Sequence, residues 1–139
     1  MKVLGFNYDK ISIEKLSTSF ENLKINTGID ISEINSIKSG FLKAKGEIIS
    51  IKFKYLIEYS PEIAKIEFKG NLLLEVDFKI SREILKQWKN KEIPEDFKMT
   101  LFNVILRKSN IKALQLEDEM NLPYHVPFPT LKKENKKEE

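Results

Sequence analysis

From Glu47 to Phe78 the chain runs through two alternating stretches joined by a short turn. In the first, Ile49, Ile51, Phe53, Tyr55, Ile57 and Tyr59 fall on odd positions, with Ser50, Lys52, Lys54 and Glu58 on even ones; Ile48 and Leu56 depart from the pattern. In the second, Ile66, Phe68, Leu72, Leu74, Val76 and Phe78 fall on even positions, against Lys65, Glu67, Lys69, Asn71, Glu75 and Asp77. Side chains along a strand point alternately to opposite faces, so this period of two predicts two half-buried strands. Tyr59-Ser60-Pro61-Glu62 supplies the reversal, proline bringing a φ already set for a turn. The pair reads as an antiparallel hairpin whose apolar face something else must cover.

The N-terminal third alternates less cleanly. Leu4, Phe6 and Tyr8 share one parity and Ile11 and Ile13 the other, so the phase slips near Asp9-Lys10, as at a β-bulge or a bend between two short strands. Leu16 to Asn22 reads as a crossing loop anchored by Phe20. Leu23, Ile25, Thr27, Ile29 and Ile31 alternate up to Ser32 as a second strand, in which Gly28 points to a bulge or a close backbone approach. Glu33 to Gly46, with Ile34, Ile37, Phe41 and Leu42, reads as strand continuation or a helical turn, closing in a turn over Lys43–Gly46.

Beyond the hairpin the period lengthens. Ser81 is the expected N-cap of a short helix that presents Ile84, Leu85 and Trp88 on one face and ends near Lys91. Pro94 suits the first position of a second helix, and Glu95 and Asp96 complement its positive end. Phe102, Ile105, Leu106, Ala113, Leu116 and Met120 then form the stripe of a helix of about 25 residues, with Ser109-Asn110 as a candidate bend. Pro123, Pro127 and Pro129 make the next segment extended rather than helical. Seven of the last eight residues, Lys132 to Glu139, are charged, which predicts a flexible tail. The elements predict an α+β fold: an antiparallel sheet of about four strands with a short and a long C-terminal helix packed on one face. Residues 1–131 form a single domain and 132–139 the tail.

Composition narrows the function. At 139 residues, 41% hydrophobic and 32% charged, the chain has the make-up of one globular domain. No window nears the ~18–20 apolar residues of a membrane span. Met1 to Asp9 meets charge too early for a secretory leader, so a cytoplasmic location is expected. The absence of cysteine removes thiol chemistry, thiolate metal sites and disulfides. The net charge of +3 is spread along the chain. Lys52, Lys54, Lys65 and Lys69 share one sheet face with Glu58, Glu67, Glu75 and Asp77, which argues for salt pairs and against nucleic-acid binding.

No reactive constellation stands out. His125 is the only histidine, and without a partner in sequence it reads as structural or surface. Glu117-Asp118-Glu119 point in three directions from a helix, so a solvated face is expected. No glycines cluster as a phosphate loop and no serine sits in a nucleophile elbow. The chain reads as a non-enzyme with no catalytic residue, metal or cofactor. What remains is an apolar surplus, either sealed in a core or left as a groove or an oligomer face. Leu122, Tyr124, Val126, Phe128 and Leu131 alternate along the proline segment and could line or cover such a groove.

The order of elements resembles that of the SecB-type export chaperones, with four strands, a crossing loop after the first, a short helix, a long helix and a proline-containing apolar tail. Tyr8-Asp9-Lys10-Ile11-Ser12-Ile13-Glu14 is similar to the family's strand-one motif, an acidic-Ile-Ser-Phe-Glu run. The Pro94-to-Leu106 helix start and Asn121-Leu122-Pro123 with the prolines after it are similar to the family's helix and Pro-x-Leu-x-Leu-x-Pro tail. The resemblance implies an ATP-independent holdase that binds unfolded or partly folded polypeptides, linked to protein export and assembled as a homo-oligomer, dimer or tetramer. It places client or partner contacts at Phe20, Leu23, Leu122, Tyr124, Val126 and Phe128. It places contacts to a translocation motor at Ile11, Ile13, Glu14 and Glu67. Lys10 stands where the family has a carboxylate, and the charge is basic where the family is acidic, which weighs against the motor. The alternatives are an interaction or scaffold module using the same surface for one partner or for self-association and, more weakly, an RNA-associated protein.

Overall fold

In a computed structural model, which describes residues 1–37 and 46–133, the alternating runs form one four-stranded antiparallel sheet. β1 is Lys2–Lys15, β2 Lys24–Ile37, β3 Glu47–Ser60 and β4 Ala64–Val76, lying in the order β1-β4-β3-β2. The expected hairpin is the centre of the sheet and the two N-terminal strands are its edges. The chain between β1 and β2 therefore crosses the end of the hairpin. The Leu16 and Ser17 amides tie it there, donating to the Ile63 carbonyl at 2.8 and 3.2 Å. The hairpin turn carries a cis Ser60–Pro61 bond, and the Ile63 amide returns to the Tyr59 carbonyl at 2.9 Å.

The phase slip in β1 is a bulge: pairing passes from Tyr8↔Gly70 to Lys10↔Lys69 and leaves Asp9 out, with a second irregularity between Val3 and Gly5. In β2 the irregularity lies between Ile31 and Glu33, not at Gly28. A side chain at Gly28 would meet nothing within 4 Å, so neither a bulge nor a close approach accounts for that glycine. Glu33 to Ile37 continues the strand. Phe41 and Leu42, the expected turn apart from Gly46, and the tail beyond Lys133 lie outside the described residues.

The inner face of the hairpin is closed. Ile49, Ile51, Tyr55, Ile57, Ile66, Phe68, Leu72 and Leu74 have no solvent-accessible surface, and Tyr55 stacks on Phe68 with ring centres 5.4 Å apart. Gly70 belongs to this face for a steric reason. A Cβ there would fall 2.3 Å from the Asn7 carbonyl oxygen and 2.9 Å from the Phe53 ring, so its absence lets β1 close on β4.

Two helices cover that face: α1, Phe78–Trp88, and α2, Glu95–Glu119. α1 begins three residues before the expected cap. Asp77 holds the N-cap position without a side-chain bond, and Phe78 is an exposed helix residue rather than the end of a strand. Ser81 is buried inside the helix, its hydroxyl donating to Glu47 at 2.7 Å. α2 runs unbroken through Ser109-Asn110. Its buried residues recur every four: Phe97, Leu101, Ile105, Ser109, Ala113 and Glu117. That row is a slanting ridge, displaced from the stripe read in the sequence, whose Phe102, Leu106, Leu116 and Met120 are only partly buried. Toward the C-terminal end the row turns small and then polar. Side chains of the size of Ser109 and Ala113 leave room for the tyrosine rings of the sheet beneath.

Candidate functional site

Among the described residues β2 is an edge strand, so alternate amides and carbonyls along it have no neighbouring strand to bond. An open groove of about 1060 Å³ runs beside that edge. Its floor is Ile29–Ser32, and its far wall is the end of α1 and the connection into α2, with Trp88, Ile93, Pro94 and Phe102. Trp88 is held by Lys91, whose ammonium sits 4.6 Å from the ring centre. Asp30, Glu92, Glu95 and Asp96 outnumber Lys91 and Lys98 around the groove. The site thus offers an open strand edge beside apolar side chains in an acidic surround, a recipe for adding an extended peptide as a further strand.

The residues that the resemblance assigned to client contact lie elsewhere, at the end of the sheet where the crossing loop, the hairpin turn and the C-terminus of α2 meet. Lys15 links the loop to the helix end: its ammonium donates to the Met120 carbonyl at 3.0 Å and lies 5.8 Å from the Phe20 ring centre. Phe20 is exposed, and Leu23 is partly buried against the core. Leu122 is a core residue, 5% exposed. Tyr124 and Phe128 are exposed and pack on each other at 5.0 Å, and the Tyr124 hydroxyl donates to Asp118 at 2.8 Å. Val126 is half-buried between them in sequence.

Beneath this tail lies a polar cluster absent from the sequence reading. The Glu117 side chain is wholly buried, not part of a solvated helix face. The His125 ring, 2% exposed, brings Nδ1 to 2.8 and 3.0 Å from the Glu117 carboxylate oxygens, and its backbone amide donates to the same group at 3.3 Å. Nε2 lies 2.9 Å from Asn110 Oδ1 and 3.1 Å from the Tyr55 hydroxyl, which itself donates to Asn110 Oδ1 at 2.7 Å. The Tyr59 hydroxyl, with its single proton, lies within hydrogen-bond distance of both the Glu117 carboxylate and the Pro123 carbonyl, the latter at 2.8 Å. Burial pushes both phenols up, aided at Tyr59 by its bond to the carboxylate and at Tyr55 by the charge of Glu117. Both remain O–H donors at neutral pH. A signal for this cluster was present: two tyrosines four apart on the buried parity of β3 require polar partners.

The residues assigned to motor contact spread over β1 and the outer face. Ile11 is exposed, Ile13 is partly buried against the core and Glu14 is exposed. Glu67 lies between two lysines, Lys10 at 2.9 Å and Lys54 at 3.1 Å, whose hydrogen bonds lower its pKa to about 2. Lys52 pairs with Glu33 at 3.3 Å, so the outer face carries the cross-strand pairs its alternation suggested. Among the described residues no group of three or more His, Asp or Glu could hold a metal, and no helix is long and apolar enough to cross a membrane.

No protein-family model and no curated protein matches the chain. Among solved structures it is similar to the Rv1957 SecB-like chaperone of Mycobacterium tuberculosis, in complex with a ChAD peptide from the Rv1956 HigA1 antitoxin. The two are 11% identical, with a TM-score of 0.52 over 96% of this chain and 91% of the other. The α+β fold of this chain is SecB-like.

Proposed function

We propose that this protein is a chaperone that holds extended, non-native polypeptide along the free edge of β2, without nucleotide, catalysis or cofactor. The observation that carries the reading is the groove itself, where an unpaired strand edge runs beside Trp88, Ile93, Pro94 and Phe102. Backbone pairing would supply affinity that does not depend on client sequence, and Trp88, Ile93 and Phe102 would favour apolar side chains on the face turned toward them. The acidic surround favours clients with basic residues among the apolar ones. The similar fold of a SecB-like chaperone solved with a peptide of another protein supports peptide binding as the kind of function.

Phe20, Tyr124 and Phe128 would extend the contact at the end of the sheet where β2 begins. Glu67, assigned to the motor, is already neutralised by Lys10 and Lys54.

The test is suppression of aggregation of several unrelated unfolding proteins at roughly stoichiometric amounts, with nucleotide omitted. Wild-type protein should suppress it. Phe102→Asp should lose most of that activity while keeping its circular dichroism, with a modest fall in unfolding midpoint because Phe102 packs partly against the core. Failure of the wild-type chain to suppress any client, together with a tight complex to one folded protein, would replace the holdase by a dedicated interaction module.

A further inference from the structure

The cluster under the tail does more than fill space. Every group facing the His125 ring at hydrogen-bond distance is an acceptor, apart from one hydroxyl. Nδ1 faces the Glu117 carboxylate, and Nε2 faces Asn110 Oδ1 at 2.9 Å. The Tyr55 hydroxyl has a single proton and is nearer Asn110 Oδ1, 2.7 Å, than Nε2, 3.1 Å. With the Tyr55 proton on the nearer Asn110 Oδ1, both ring nitrogens meet acceptors, an arrangement that suits an imidazolium. A neutral ring loses one of two anchors and leaves the buried Glu117 carboxylate without its counter-charge. The other titratable groups around the ring are Tyr55 and Tyr59 of β3, Tyr8 of β1 behind Tyr55, and the Tyr124–Asp118 pair on the tail side. The buried phenols do not change charge between pH 5 and 8, whereas an imidazole ordinarily does.

We propose that Glu117, Asn110 and His125 form a proton-operated latch on the C-terminal tail. With the ring protonated, Asn121 to Phe128 is clamped over the end of α2. With the ring neutral, the tail lifts, uncovering the seat of Leu122 and freeing the Tyr124–Phe128 pair. The geometry suits a latch because the ring, the His125 amide and the Pro123 carbonyl all bond to this one cluster. Losing one charge therefore loosens several contacts at once. The consequence for client capture rests on the holdase reading; the latch does not.

The experiment reads the tail directly. Amide hydrogen exchange of the full chain is followed at pH 5.5 and pH 8, corrected for intrinsic rates. Protection of the Leu122 and His125 amides, which bond to the Glu117 carbonyl and carboxylate, should fall about tenfold on going to pH 8, the scale of one charge-assisted hydrogen bond, while Ile66 and Leu72 in the core stay unchanged. His125→Gln, which keeps a hydrogen-bonding side chain without the titration, should abolish the pH dependence. Nuclear magnetic resonance of the wild-type chain gives a check that needs no variant: ring and tail-amide shifts should titrate with a common midpoint. Tail protection independent of pH, the same dependence in His125→Gln, or separate midpoints would each overturn the latch. A pH-dependent tail in a protein that suppresses no aggregation would leave the latch standing and remove only its link to clients.

Discussion

Ile11 and Phe68 are register partners on neighbouring strands, yet Ile11 is 45% exposed and Phe68 fully buried. The contrast runs along the whole sheet. The inner face of β3 and β4 is sealed, whereas β1 leaves Val3, Leu4 and Ile11 exposed and β2 borders an open groove. Both regions alternate in sequence, so alternation reports which way a side chain points and not whether anything lies over it. Coverage is decided by the two helices, which seal the central hairpin and cover the edge strands only in part: Ile31 and Ile34 of β2 are buried, whereas Val3 and Ile11 of β1 are left exposed. The exposed edges are where a further strand can be added, and the closed centre gives that surface a rigid backing.

Truncation should separate the two regions most sharply. Phe68→Ala empties a closed site stacked against Tyr55 and should cost about 3–5 kcal/mol in denaturant unfolding. Ile11→Ala, on the same face one strand away, should cost less than about 1 kcal/mol. Comparable losses at both positions would mean that β1 is covered in solution by something else.

A smaller effect is expected where a side chain is added. Gly70→Ala drives a Cβ into the Asn7 carbonyl and the Phe53 ring, and should destabilise by about 1–3 kcal/mol as β1 is pushed off β4. Gly28→Ala, in the open edge strand, should change the unfolding free energy by no more than about 0.5 kcal/mol. Thermal unfolding of the two variants side by side checks the pair.

The smallest effect concerns the outer face. Hydrogen bonds from Lys10 and Lys54 hold the Glu67 carboxyl at about 2, below its ordinary 4.5. A depressed folded-state value means the stabilisation is present above the ordinary carboxylate range and is lost as pH falls from 4.5 through 2. Glu67→Gln should flatten that part of the acid unfolding curve. The difference should stay below about 1 kcal/mol, because both lysines are substantially exposed and salt screens them.

Much of the fold was legible from residue order. The alternation of Ile49 to Tyr59 and Ile66 to Val76 marked the hairpin, the parity change at Asp9 marked an irregularity that the register then settled as a bulge rather than a bend, and Pro94-Glu95-Asp96 marked the start of α2, because each follows from the geometry of a few consecutive residues. The start of α1 was misplaced, since Ser81 looked like a cap until Glu47, far away in sequence, claimed its hydroxyl.

The tertiary structure alone decided the sites. Three consecutive acidic residues on α2 are indistinguishable as a string, yet the slanting contact row buries only Glu117 and sets it against His125, Tyr59 and the tail. The groove likewise exists because the crossing loop carries β2 to the far edge, where it meets Trp88 and Phe102. Local periodicity specifies the direction of each side chain. Strand order and helix crossing specify its company, and they depend on long-range packing that no short stretch of sequence contains.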